Sequence, residues 1–176
     1  MRYLPTVTEV IGPWVDWSKI PPGTLQAAQE RGTAVHELCA NYARGLWSPV
    51  PEEYAGYFES FLYWFNSSVM EVILVEERLF AQGAGFCGQI DLLIESKNGE
   101  AQLIDLKTPL ALSKSWRVQL AAYQELCEKN GHHPDRIGSL RLNKEGGIPR
   151  MDWFEGGSAD LNIFMSALNC WRYFKQ

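Results

Sequence analysis

Three side chains able to do chemistry stand inside apolar runs. Asp91 lies between Ile90 and Leu92-Leu93-Ile94, and Asp105 lies between Leu103-Ile104 and Leu106, with Lys107 two places on. A bare carboxylate in such surroundings costs several kcal/mol unless something pairs with it. Asp105 and Lys107 are two apart, so on a strand they share a face. The intervening Lys97-Asn98-Gly99-Glu100 is a hairpin signal that sets the two runs side by side. A register that brings Asp91 to the same place gathers two carboxylates and an ammonium. Hard oxygen donors of that kind suit Mg²⁺ or Mn²⁺ and the phosphates such ions bind. A lysine beside them can hold a water or a phosphate oxygen. The competing readings are a solvated strand face, or ions that only pair with one another. Apolar neighbours on both sides of each acid favour strands covered on both faces.

The elements that must position these groups are legible from periodicity. Leu4-Pro5-Thr6-Val7-Thr8 opens a short segment with a helix starting at Thr8, and Trp14 and Trp17 fall in an exposed loop. Leu25, Ala28, Val35, Leu38, Cys39 and Tyr42 recur at helical steps and predict a helix from Thr24 to Arg44, stopped by Gly45. An aromatic-rich helix follows over 52–67, its rings suited to core packing or to stacking on bases. The period then changes to two, predicting strands at 71–80, 86–96 and 101–108. A helix over 113–131 has Ser113 as cap and Gly131 as stop. Strands at 137–143 and 149–155 and a closing helix over 158–174 complete the chain. This order predicts one α/β domain over 1–176, a mixed central sheet flanked by helices.

Composition excludes several classes. With 46% hydrophobic and 21% charged residues, disorder is not expected. No apolar stretch approaches the ~20 residues of a membrane span, and the N-terminus lacks a signal-peptide layout. These features predict a cytoplasmic protein with no membrane partner. Cys39, Cys87, Cys127 and Cys170 are too scattered for a zinc or iron–sulfur site and read as buried small hydrophobes. A net charge of -5 argues against coating nucleic acid by charge alone.

Five blocks in order carry a resemblance. They are Leu4-Pro5-Thr6-Val7-Thr8, Arg31-Gly32-Thr33-Ala34-Val35-His36-Glu37, Gly88-Gln89-Ile90-Asp91, Leu103-Ile104-Asp105-Leu106-Lys107-Thr108 and Gln119-Leu120-Ala121-Ala122-Tyr123. Together they resemble the PD-(D/E)XK nuclease superfamily, and within it the RecB-like exonuclease branch of the small phage and mitochondrial genome maintenance type. The resemblance implies a restriction-endonuclease-like core. It implies Asp91 and Asp105 as metal-binding carboxylates, Lys107 as the catalytic lysine and His36 as a further ligand for Mg²⁺ or Mn²⁺. Gln119 is expected at the lysine or substrate, with Tyr123, four residues on and on the same helix face, as a substrate contact; the alternative is a core tyrosine with Gln119 as its polar edge. Only one of Glu76 and Glu77 can face the site from the first strand, and spacing in similar enzymes favours Glu76. Lys114, Arg117 and Arg31 are the expected contacts to DNA phosphates, with a solvated surface role as the alternative.

The function so implied is a divalent-metal-dependent DNA exonuclease acting on linear ends, single- or double-stranded, in phage or cellular recombination, replication or repair. With no P-loop in the chain, any unwinding falls to a partner such as a helicase, and a single-strand-annealing protein is the other expected partner. The alternatives are a structure- or sequence-specific endonuclease and a non-catalytic DNA-end-binding subunit on the same fold.

Overall fold

The period-two stretches form one five-stranded sheet in the computed structural model, which describes residues 3–15, 22–109 and 112–175. The strands are β1 (Val69–Ala81), β2 (Phe86–Ser96), β3 (Ala101–Lys107), β4 (Arg136–Arg141) and β5 (Arg150–Phe154), adjacent in sequence order. β1–β2–β3 is an antiparallel meander, β3 and β4 run parallel, and β5 returns antiparallel to β4. The one parallel pair follows from the helix between its strands, since a parallel connection needs a long crossover. That helix is α4 (Lys114–Lys129), capped by the Ser113 hydroxyl, which accepts from the Ser115 N–H.

Helices cover both faces. α2 (Pro22–Ala43) and α3 (Ala55–Ser68) bring Val35, Cys39, Tyr57, Phe61 and Trp64 onto Leu92, Ile94, Ile104 and Leu106. On the other face α1 (Val7–Ile11), α4 and α5 (Ser158–Lys175) close Val7, Leu120, Leu126, Phe164 and Leu168 over Leu93, Leu103 and Ile137. The aromatics of α3 thus serve the core: Tyr57, Phe61 and Trp64 are buried. Burying each such ring contributes about 1.5–3 kcal/mol.

Several boundaries differ from the periodicity for local reasons. The first helix starts at Val7, because Thr6 and Glu9 form a reciprocal capping box. β1 is longer at both ends than expected, since it pairs with β2 from Val69 to Ala81. β4 and β5 are shorter, ending where their mutual ladder ends at Arg141 and Arg150. Of the cysteines, Cys170 is only half-buried, whereas Cys39, Cys87 and Cys127 are buried. Trp14 is exposed, and Trp17 lies outside the described residues. Among the described residues no helix is long and apolar enough to cross a membrane.

The loop between β4 and β5 packs against the start of α3. Asn143 N–H donates to Ser60 Oγ at 3.1 Å, and a Cβ built on Gly56 would fall 1.8 Å from the Lys144 carbonyl oxygen. A glycine-to-alanine change ordinarily strengthens a helix; here backbone occupies the space. Gly56→Ala should therefore lower stability by about 1–3 kcal/mol, read as an earlier denaturant midpoint with an unchanged slope.

Candidate metal and catalytic site

Strict alternation fails at one point on two neighbouring strands. Ile90 and Leu93 join the core beneath α4, but Leu92 and Ile94 join the core beneath α2 and α3. On β1, Val75 belongs to the α2 side and Leu79 to the α4 side, although their parity is the same. The change of phase falls at Asp91 and at Glu76, between the paired positions Val75–Leu92 and Glu77–Ile90. Glu76 has φ of 49°, a left-handed conformation rare outside glycine. The twist turns the Glu76 carboxylate inward and leaves Glu77 exposed.

β3 separates from β2 at the same level. The ladder between them reaches Leu92–Ile104, and beyond it Asp91 Oδ2 accepts the Leu106 N–H at 2.7 Å. The carboxylate takes the place of a strand partner. Its other oxygen, Oδ1, lies 3.4 Å from His36 Nδ1. His36 reaches over from α2, and its Nε2 is 2.9 Å from the Leu106 carbonyl oxygen. A carbonyl can only accept, so Nε2 carries the proton and Nδ1 is the nitrogen that can offer a lone pair. Glu76 Oε1 stands 3.9 Å from the same Nδ1. His36, Glu76 and Asp91 thus place one ligand atom each within 4.8 Å of one another.

Asp105 is held differently. Its Oδ2 is 2.6 Å from Lys107 Nζ, and the buried Ser139 hydroxyl, directly across on β4, donates to it at 3.3 Å. Lys107 Nζ also donates to Gln119 Oε1 at 3.2 Å. Gln119 Nε2 in turn donates to the Tyr123 hydroxyl at 3.0 Å; the ammonium can only donate, and that fixes the amide oxygen toward the lysine. Trp116 lies beneath, its ring centroid 5.6 Å from the ammonium. Gly88 lets this helix come close, since a Cβ there would meet Leu126 and Tyr123 at 2.9 Å.

The electrostatics describe a place short of positive charge. Burial and the negative charge of Asp91 hold Glu76 above the usual carboxylate range. Burial likewise raises Asp105 against the pull of Lys107, with Asp91 adding to the rise. Burial opposes the ionised form of Asp91 too, but His36 and Lys107 and the Leu106 N–H outweigh it and hold the acid low. Burial works against a charged imidazole at His36, and the Asp91 carboxylate overcomes it, raising the group to about 9. Burial pushes the Tyr123 phenol up as well, reinforced by Asp105, so it stays a neutral hydroxyl. One imidazole nitrogen and convergent carboxylates, two of them raised by crowding, form a donor set that fits a divalent ion such as Mg²⁺ or Mn²⁺.

The remaining candidates sit apart. Arg31 lies 6.0 Å from the Tyr57 ring centroid, and its buried Nε has no partner. Arg117 forks onto Asp160 of α5, with both nitrogens at 2.9 Å, so its guanidinium serves the α4–α5 contact. Lys114 is exposed at the start of α4. Sequence reasoning missed Ser139, Trp116, Gln89 and Arg44. Gln89 donates to Glu76, and Arg44 donates to the Val75 carbonyl at 3.2 Å beside it.

A family model, the PD-(D/E)XK nuclease superfamily, matches residues 52–150. The chain belongs to that superfamily. The match covers more than half the sequence and spans Glu76, Asp91, Asp105, Lys107, Gln119 and Tyr123, while His36 lies upstream of it. The five-stranded mixed sheet flanked by helices agrees with a restriction-endonuclease-like fold. PD-(D/E)XK nucleases use divalent metals, and membership implies a metal-dependent nuclease that binds DNA. No curated protein matches the chain.

In the metal-free PD-(D/E)XK protein, the raised His36 imidazolium pairs with Asp91. That pair stabilises the fold in full below pH 6.5 and ceases to do so as pH climbs through about 9. Thermal melts in EDTA should show the midpoint falling across that window, and His36→Asn should flatten the fall. Mn²⁺ affinity should rise over the same range, because the proton on Nδ1 must leave.

Proposed function

We propose that this chain is a Mg²⁺- or Mn²⁺-dependent exonuclease that hydrolyses phosphodiester bonds from linear DNA ends, its site being His36, Glu76, Asp91, Asp105, Lys107 and Gln119. The observation that supports it best is the convergence of His36 Nδ1 with Glu76 and Asp91 beside the Asp105–Lys107–Gln119 chain. The acids and lysine of the superfamily pattern and the α2 histidine of the RecB-like resemblance then lie side by side. Residues 1–176 act as one nuclease domain, with unwinding left to a helicase or annealing partner.

His36, Glu76 and Asp91 would hold the ion, with Asp105 available to it as the second carboxylate of the motif. When bound there, such an ion would supply polarisation of a phosphoryl oxygen and a stronger water nucleophile near neutral pH. The Leu106 backbone orients two of the ligands, its N–H on Asp91 and its carbonyl on His36. Lys107 has three N–H donors. Asp105 and Gln119 take two of them, and the third is directed to the attacking water or to a non-bridging phosphate oxygen. Tyr123 takes the other end of the Gln119 amide and tethers it. The lysine is thereby held before substrate arrives, which is what electrostatic stabilisation of developing charge requires.

The test compares end-labelled linear single- and double-stranded DNA with closed circles, in Mg²⁺, Mn²⁺ or EDTA. Metal-dependent loss of linear DNA alone is expected, with the label reporting direction. Lys107→Ala should slow cleavage by about 10²–10³-fold while leaving Mn²⁺ binding intact, and Asp91→Asn should weaken the metal binding itself. Cleavage of circles would replace the exonuclease with an endonuclease. Binding of ends without cleavage would leave a DNA-end-binding subunit.

A further inference from the structure

The site opens sideways into a cavity of about 510 Å³ whose long wall is one face of α2. Gly32, His36, Ala40 and Arg44 line it at successive four-residue steps, a row inclined to the helix axis, with Thr33 and the exposed Glu37 lining it beside them. Glu76 and Gln89 line the opposite side. The stripe alternates a bare position, the metal-ligand histidine, a small position and a guanidinium. From Gly32 to Arg44 it is about 18 Å long at the helical rise.

Gly32 has no role in the packing of the fold. A Cβ built there meets nothing within 4 Å, and its φ is not in the left-handed region. Glycine is among the poorest residues for a helix interior, and Gly32 sits in the middle of a 22-residue helix. Neither helix formation nor a close neighbour calls for it; what its absent side chain does is keep the groove beside His36 open. At the other end Arg44 lies just past the last residue of α2, exposed, with one nitrogen on the Val75 carbonyl at 3.2 Å. That single backbone bond anchors the guanidinium at the groove while leaving donors for a ligand. Arginine forks match phosphate oxygens.

We propose that this groove is the track of the cleaved strand: the sugar–phosphate backbone passes over Gly32 and Ala40, and Arg44 grips a phosphate beyond the one undergoing hydrolysis. The inference rests on the nuclease reading of the adjoining site and adds the path and the residues that set it. Arg44 is here a substrate-binding residue and Gly32 a position whose emptiness admits the chain.

The test uses the full chain with Gly32→Leu, Arg44→Ala and Arg44→Lys. Gly32→Leu narrows the groove while leaving every metal-ligand residue in place, and a Cβ there meets nothing within 4 Å, so its thermal midpoint should equal or exceed the parent's, and calorimetry should show that Mn²⁺ still binds. Its affinity for a fluorescent single-stranded oligonucleotide in EDTA should fall at least tenfold, and its cleavage rate in Mn²⁺ should fall with it. Arg44→Ala should weaken oligonucleotide binding about tenfold and reduce the slope of log affinity against log salt by about one. Arg44→Lys should restore the slope more than the affinity, since a lysine supplies the charge without the fork. Parent-like binding and cleavage by both Gly32→Leu and Arg44→Ala would overturn the track and leave the nuclease standing. Weakened binding in these variants, alongside a parent that cleaves no DNA in any metal, would remove the nuclease reading and overturn a cleaved-strand track, leaving a groove that only binds a strand.

Discussion

The Asp91 carboxylate is the constraint on which the rest of the site depends. It is buried where β2 and β3 part, and it stays ionised because each oxygen has a partner: the Leu106 N–H on one and His36 on the other. A buried acid without both would carry a large desolvation penalty. The parting of the strands, the inward turn of Glu76 and the reach of α2 across the sheet are the ways this fold meets that demand. The last two each also bring a further atom able to hold a metal ion to the same point. The stability of the charged group and the assembly of the site are one arrangement.

Much of this was legible in the sequence. The apolar runs interrupted by acids placed Asp91 and Asp105 on adjacent strands, and the shared parity of Asp105 and Lys107 is realised as a 2.6 Å pair. Helix α4 and the hairpin before it carried their own caps and turns, so their existence followed from local chemistry. What periodicity hid is non-local. The left-handed Glu76 leaves no mark in residue type, because glutamate is not a residue that signals such a conformation. Ser139 faces Asp105 only because β3 and β4 are parallel, and a parallel register is set by a crossover rather than by a turn. Arg117 read as a phosphate contact from its place near the lysine motif; its partner Asp160 lies 43 residues away.

The two halves of the site also differ in how they are built. Glu76, Asp91, Asp105 and Lys107 come from a β meander of short connections, whereas His36 arrives from a helix on the far side of a long stretch of chain. The matched superfamily segment follows the same division, starting after the histidine. The meander supplies the charges and the helix the nitrogen, and the candidate ligand set is complete only once α2 has docked on the sheet.

That docking is recorded by a single backbone group. His36 is oriented by the carbonyl of Leu106 rather than by a side chain. A peptide oxygen is present whatever amino acid occupies the position, so no point substitution at 106 can delete it. Ligands steered by an acidic side chain are exposed to loss through a single codon change; this one is steered by a group that the genetic code does not specify. Mutational drift at position 106 can alter how tightly α2 sits, but the hydrogen-bond acceptor that selects the imidazole tautomer is inherited with the strand itself.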